Sequence, residues 1–127
     1  MAETNKDTAV ADVAMAPYWD AANEGRLLLK HCRSCERSYY YPRPLCPFCL
    51  GEDTEWREAS GAGTVYSWSV ERRGKPPYII AFVTLAEGPT IMTNLVDCEP
   101  EAVAIGQDVR LAFETRDEQP VPVFRPA

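Results

Sequence analysis

Imidazole is almost missing from this chain: His31 is its one histidine in 127 residues. No Ser-His-Asp set, HExxH motif, glycine-rich phosphate loop or closely spaced acid pair accompanies it. Acid–base catalysis by this chain alone is therefore disfavoured, although carboxylates brought together from distant positions stay open. No apolar run approaches the roughly 20 residues that cross a bilayer, so no membrane partner is expected. The opening MAETNKDTAVADVAMAP has neither a basic stretch nor an apolar one, which excludes a signal peptide and predicts a cytoplasmic protein. Positive charge is also short. Thirteen Lys and Arg face nineteen Asp and Glu, a net charge of -6, which argues against phosphate backbones as the main ligand. Eleven prolines interrupt every later stretch long enough for a helix, and a mostly helical fold is excluded.

What remains is an ordinary globular composition, 46% hydrophobic and 25% charged, which excludes disorder of the whole chain. The length suits one domain with a small appended module and can bury a core without disulfides. Residues 1–16 are small and polar, and read as a disordered lead-in. Pro17, Tyr18, Trp19 and Ala22 then fit a short helix capped by Gly25. Residues 17–60 form a first unit of helix and cysteine segment, in which Arg26–Lys30 reads as a strand. Residues 61–127 form a second unit that reads as β structure. Tyr66, Trp68 and Val70 fall on one face of a strand, and residues 78–85 are apolar on both faces, as in a central strand. Glu87-Gly88-Pro89 is a hairpin turn, Ile91, Thr93 and Leu95 point one way, and Pro100–Ala104 fits one helical turn. Val109, Leu111 and Phe113 alternate along a half-buried strand, and Val121–Arg125, bracketed by prolines, suits an edge. Five strands in so short a span predict a small closed or nearly closed barrel. The fold class is mainly β.

The sharpest chemical signal is Cys32-x-x-Cys35, ten residues, then Cys46-x-x-Cys49. Two such knuckles across a hairpin bring four thiolates to the corners of a tetrahedron, an arrangement that suits structural Zn²⁺ with no open position for catalysis. Iron in the same four sulfurs stays open. Disulfides are disfavoured in a cytoplasmic chain, and a redox CxxC lacks its usual βαβ setting. The segment is the chain's basic one: Arg26, Lys30, Arg33, Arg37 and Arg43 face only Glu36 between residues 26 and 49, and they offset the charge of a tetrathiolate site. His31, beside the first cysteine, reads as a surface or supporting residue. Cys98, between Asp97 and Glu99, is an incidental thiol, because acidic neighbours oppose its ionisation.

A second candidate site is the loop Arg72-Arg73-Gly74-Lys75-Pro76-Pro77. The plain reading is a solvated hairpin tip. The functional one is phosphate capture by Arg72, Arg73 and Lys75, with Tyr66, Trp68, Tyr78 and Phe82 as an aromatic wall. Tyr39, Tyr40 and Tyr41 offer either a docking surface at the ribbon tip or a cover for the ribbon's own small core.

The order of these features resembles the DUF35 family: a helix with Pro17-Tyr18-Trp19, the cysteine pairs, Gly61-x-Gly63-Thr64-Val65-Tyr66-Ser67-Trp68, Pro77-Tyr78, Glu87-Gly88-Pro89, Ile105-Gly106 and Phe124-Arg125-Pro126. The resemblance covers residues 17–127. It implies a rubredoxin-like zinc ribbon followed by a five-stranded OB-fold, with Cys32, Cys35, Cys46 and Cys49 as zinc ligands. It also implies a non-catalytic or co-catalytic subunit that binds acyl-CoA and forms a hetero-oligomer with a thiolase-like enzyme or a MaoC-type hydratase. The thiolase-like partner would be a lipid-transfer-protein aldolase, for example one cleaving steroid side-chain CoA esters, or an acyltransferase. One departure stands out. Glu36 and Leu50 follow the second cysteines where zinc knuckles favour glycine, so both knuckles are expected to be strained or differently wound. Two other functions compete: a nucleic-acid binder, since zinc ribbons and OB-folds both serve that role, and an electron carrier with iron in the cysteines.

Overall fold

The computed structural model describes residues 15–127. The lead-in read for residues 1–16 lies outside the described residues except for its last two. Met15 is buried in the main core, and helix α1 runs from Ala16 to Asn23. Pro17 sits in its first turn, where a missing N–H costs nothing. At the other end Gly25 takes φ +78°, which lets its N–H reach Ala22 O and that of Arg26 reach Ala21 O. Such a left-handed cap favours glycine and satisfies carbonyls that the helix leaves unpaired.

Three short strands follow: β1 (Leu28–Cys32), β2 (Arg37–Tyr39) and β3 (Thr54–Glu58), antiparallel in the order β2-β1-β3. Five more strands close a barrel in the order β4-β5-β6-β8-β7: β4 (Ala62–Glu71), β5 (Tyr78–Leu85), β6 (Thr90–Leu95), β7 (Asp108–Arg116) and β8 (Gln119–Pro126). A 3-10 turn, Pro100–Ala102, lies between β6 and β7. Among the described residues no helix is long and apolar enough to cross a membrane.

The core runs through both units. Tyr18 from the helix, Leu27 just before β1 and Leu29 on it share one buried cluster with Val65, Val83, Leu85, Ile91, Val109 and Phe124 of the barrel. Ile91, Thr93 and Leu95 are all buried, and the hydroxyl of Thr93 donates to Pro122 O at 3.2 Å. Around the cysteines there is only a small second cluster, Cys32, Tyr39 and Cys46.

Two strand readings need correction. Tyr66 does not share a face with Trp68 and Val70, because the β4–β5 register slips between Val65 and Ser67. The extra residue of this bulge is Tyr66, which turns outward and is exposed, whereas Trp68 and Val70 pack against the core. Nor is β8 an edge. It pairs with β7 along its length and with β6 in parallel at Leu95 and Phe124. Its prolines, 120, 122 and 126, share the parity of Phe124, whose carbonyl accepts from Val96 N, and Pro122 O also faces β6. Backbone groups at these positions point away from β7, so proline removes no donor from the long ladder.

Gly63 marks the tightest approach in the barrel. A Cβ there would lie 2.7 Å from Val83 Cγ1 and 3.1 Å from Thr84 O. Gly63→Ala should therefore lower stability by about 1–3 kcal/mol, the usual cost of overpacking. Chemical denaturation measures this, and an unchanged midpoint would show that β4 and β5 separate freely at this point.

Candidate metal centre and the groove beside it

The hairpin of β1 and β2 supplies Cys32 and Cys35, and the turn before β3 supplies Cys46 and Cys49. All four Sγ atoms lie within 4.8 Å of one another. Cys32 Sγ is 3.6 Å from Cys49 Sγ, and Cys35 Sγ is 3.6 Å from Cys46 Sγ. A tetrahedral ion with bonds of about 2.3 Å sets its sulfurs about 3.8 Å apart, so the donor set fits such an ion. All five cysteines are free thiols.

Backbone geometry prepares the sulfurs. Glu36 and Leu50 adopt φ 60° and 64°, so each knuckle takes the left-handed turn without a glycine. The N–H of Glu36 reaches Cys32 O at 2.9 Å, and that of Leu50 reaches Cys46 O at 2.8 Å. Inside the turns, Cys35 N–H approaches Cys32 Sγ at 3.5 Å and Phe48 N–H approaches Cys46 Sγ at 3.3 Å. Burial alone would raise the Cys46 thiol. Backbone donors at Cys49 and Phe48, with help from neighbouring thiols, outweigh it and bring Cys46 down to about 7. Burial and the surrounding sulfurs push Cys35 up to about 12. One thiolate thus forms readily, and a cation is needed to hold the set ionised.

The basic residues of this segment have partners of their own. Arg33 pairs with Asp53 at 2.8 Å and Glu55 at 2.6 Å, and Arg26 pairs with Glu58 at 3.3 Å. Lys30 lies over the ring of Trp56 and Arg37 over that of Phe48, at 4.6 and 4.7 Å. Arg26 and Arg33, which flank β1, are thus paired with acids on and beside β3. His31 is buried rather than at the surface. Its Nδ1 is 2.9 Å from Ser38 Oγ and its Nε2 is 3.5 Å from Glu36 Oε1. Cys98 is half-buried, and burial with Asp97 and Glu99 pushes its thiol up.

A groove of about 820 Å³ opens between α1, Tyr40 and the barrel strands β6, β7 and β8. Of the loop residues singled out in the sequence, Lys75 and Tyr78 line it, while Arg72, Arg73, Tyr66 and Trp68 do not. Arg73 is 93% exposed and tied to Glu71 at 3.3 Å. Tyr66, Tyr78 and Phe82 are exposed, and Trp68 is turned inward, so the expected four-ring wall does not form. The three tyrosines at the ribbon also part company. Tyr39 is buried beside Cys32 and Cys46, with its hydroxyl donating to Arg43 O at 2.7 Å. Tyr40 turns into the groove, and only Tyr41 is exposed. Periodicity could not find this groove, because its walls come from both ends of the chain.

Leu50 combines a left-handed backbone with a 73% exposed apolar side chain. Leu50→Gly should stabilise the metal-loaded protein by roughly 0.5–1 kcal/mol, since relief of the Cβ clash exceeds the added freedom of the unfolded chain. Thermal unfolding of both forms checks this. A lowered midpoint would mean that the exposed leucine holds the knuckle through contacts rather than straining it.

With the geometry in place, comparison with known proteins is direct. Residues 19–55 match the model for the ChsH2 rubredoxin-like zinc ribbon domain, and residues 56–114 match that for the ChsH2 C-terminal OB-fold domain. A DUF35 domain-containing scaffold protein of Pyrococcus furiosus is 34% identical over 74% of each chain. A probable enoyl-CoA hydratase alpha subunit of Thermomonospora curvata is 38% identical over 87% of this chain. The chain spans only 36% of that relative's length, and 63% of a Methanocaldococcus jannaschii scaffold protein to which it is 39% identical. Among solved structures, an Ltp2-ChsH2(DUF35) aldolase superposes with a TM-score of 0.77 at 37% identity, covering 89% of this chain and 94% of that one. A DUF35 protein from Sulfolobus solfataricus, 15% identical with a TM-score of 0.67 over 90% of this chain and 85% of its own, shares the fold. The expected zinc-ribbon and OB-fold architecture is therefore shown, and the chain belongs to the DUF35 family.

Proposed function

We propose that this chain is a non-catalytic subunit of an acyl-CoA enzyme complex, with a structural zinc ion in its ribbon and a barrel groove that receives the arm of the CoA ester. The groove carries this reading. Trp19, Ile91, Leu95 and Val121 give it apolar walls, and Lys75, Asn94, Glu114 and Arg116 add polar groups. That combination suits a long, weakly polar chain ending in phosphates. Likeness to a probable enoyl-CoA hydratase alpha subunit and to an Ltp2-ChsH2 aldolase supports a partner that acts on CoA esters. A thiolase-like aldolase or acyltransferase fits this, as does a MaoC-type hydratase. The scaffold names of the archaeal relatives support an accessory role.

Apolar surface supports a hetero-oligomer. Leu45, Phe48 and Leu50 are exposed at the ribbon tip, and Tyr66, Phe82 and Met92 on the barrel wall. Exposed patches of this kind mark protein interfaces. Zinc would be held by Cys32, Cys35, Cys46 and Cys49, and four thiolates leave it no open position for chemistry. Nucleic acid is disfavoured by the net charge of -6 and because Arg26 and Arg33 already face carboxylates.

Two measurements test the proposal. Elemental analysis should give one zinc per chain, and Cys46→Ser should remove most of it and lower the unfolding temperature. Metal retention should fall as pH falls, because protons compete for the thiolates. Full zinc content with unchanged stability in Cys46→Ser would sink the assignment. For the groove, Arg72, Arg73 and Lys75 are replaced together with Ala and acyl-CoA turnover is followed in the reconstituted complex. KM should rise about tenfold with kcat held, the pattern of lost ground-state binding. Most of the effect should follow from Lys75→Ala alone. Unchanged kinetics with assembly intact would reduce the loop to a solvated hairpin tip.

A further inference from the structure

Two tyrosines meet in the lining of the groove. Tyr18, on α1, is 2% exposed, and its hydroxyl is 2.8 Å from that of Tyr40, just past β2. The rings are T-shaped at 6.1 Å, and Trp19 stands edge-on to Tyr18 at 4.9 Å, which holds the pair from the helix side. Both tyrosines line the groove. Burial raises both phenols further, so the pair stays protonated at neutral pH.

Two phenols carry two protons, and the bond between them uses one. A buried hydroxyl without a partner is costly, so the more deeply buried Tyr18 donates to Tyr40. The proton of Tyr40 is then free to point into the groove, and its oxygen, by accepting from Tyr18, becomes a better donor. Among the described residues, the side-chain hydrogen bond of each hydroxyl is to the other. Trp19, Leu95 and Val121 line the same groove beside the polar Asn94, Glu114 and Arg116. Asn94 already donates to Ile79 O, and Arg116 to Glu114 and to Asn94 Oδ1, whereas the proton of Tyr40 has no partner among these bonds.

We propose that Tyr18 and Tyr40 form a two-hydroxyl donor site for a carbonyl oxygen, amide or thioester, of a pantetheine-type arm lying in the groove. Tyr40 makes the bond and Tyr18 positions and polarises it. This rests on the groove receiving the arm of a CoA ester, as argued above.

The test is calorimetry on the purified full chain with three probes: acetyl-CoA, CoA and adenosine 3′,5′-bisphosphate, which lacks the arm. Tyr40→Phe should weaken acetyl-CoA about fivefold, the weight of one neutral hydrogen bond, and leave the bisphosphate unchanged. Tyr18→Phe should give a smaller loss, about twofold, since Tyr40 keeps its own proton. An equal loss on CoA assigns the bond to an amide carbonyl, and a loss confined to acetyl-CoA assigns it to the thioester. Folded Tyr40→Phe that binds acetyl-CoA as the parent does would overturn the donor site while leaving the groove reading in place. If Tyr40→Phe does not fold, Tyr18→Phe decides, and unchanged affinity there overturns the site. No binding of acetyl-CoA by the parent chain overturns the site and the groove reading together.

Discussion

Leu27 and Leu29 are buried in the same apolar cluster as Val65, Val83 and Phe124, and the positions of the helix, the ribbon and the groove follow from that packing. Each such side chain contributes about 1.5–3 kcal/mol when fully buried. The main-chain bond from Ala59 N to Leu27 O, at 2.8 Å, fastens the exit of β3 beside the entry of β1. The ribbon stem is therefore set against the barrel by core packing rather than hung from a linker. Helix α1 is drawn onto the same surface by Met15 and Tyr18. The space left between α1 and strands β6 and β8 is the groove.

Charge is arranged around that seam rather than for a distant partner. Residues 26–49 look basic and residues 50–63 look acidic when read in order. In the fold β1 and β3 are antiparallel neighbours, with Lys30 opposite Trp56 and Leu28 opposite Glu58. The two runs meet as Arg33 with Asp53 and Glu55, and Arg26 with Glu58. Exposed pairs of this kind contribute about 0–1 kcal/mol each, so their larger consequence is to offset the charge of Arg26 and Arg33 within the basic segment. A linear tally of charge could not reveal this, because pairing depends on which strand lies beside which.

Local chemistry was legible in the sequence, and long-range closure was not. The cysteine spacing, the proline and glycine at the two ends of α1, and the alternation of Ile91, Thr93 and Leu95 all act over a few residues, and each appears as read. Residues 78–85 were read as central because they are apolar on both faces, and β5 does lie between β4 and β6. Yet Tyr78 and Phe82 on its outer face stay exposed, since among the described residues no other element covers them. Period-two reasoning failed at Tyr66 because a single bulge residue inverts every face beyond it. The edge reading of β8 failed because proline excludes a ladder bond on one side only. At the candidate site, the sequence carried the sulfur set and Lys75. It could not bring Tyr18 to Tyr40, twenty-two residues away.

The ribbon is too small to have an apolar core of its own, and that explains where its side chains point. Its interior consists of Cys32, Cys46 and Tyr39 with Cys35 packed alongside, so an ion held among the sulfurs would take the place that leucines fill elsewhere. Leu45, Phe48 and Leu50 are left outside. Strand alternation then does the rest. Tyr39, the last residue of β2, turns inward against the cysteines, and Tyr40 turns the other way, onto Tyr18 in the lining of the groove. One peptide bond separates the side chain that packs on the metal-ligand set from the one that meets the helix. Order at the sulfurs and order at the groove are thus carried by the same turn of chain.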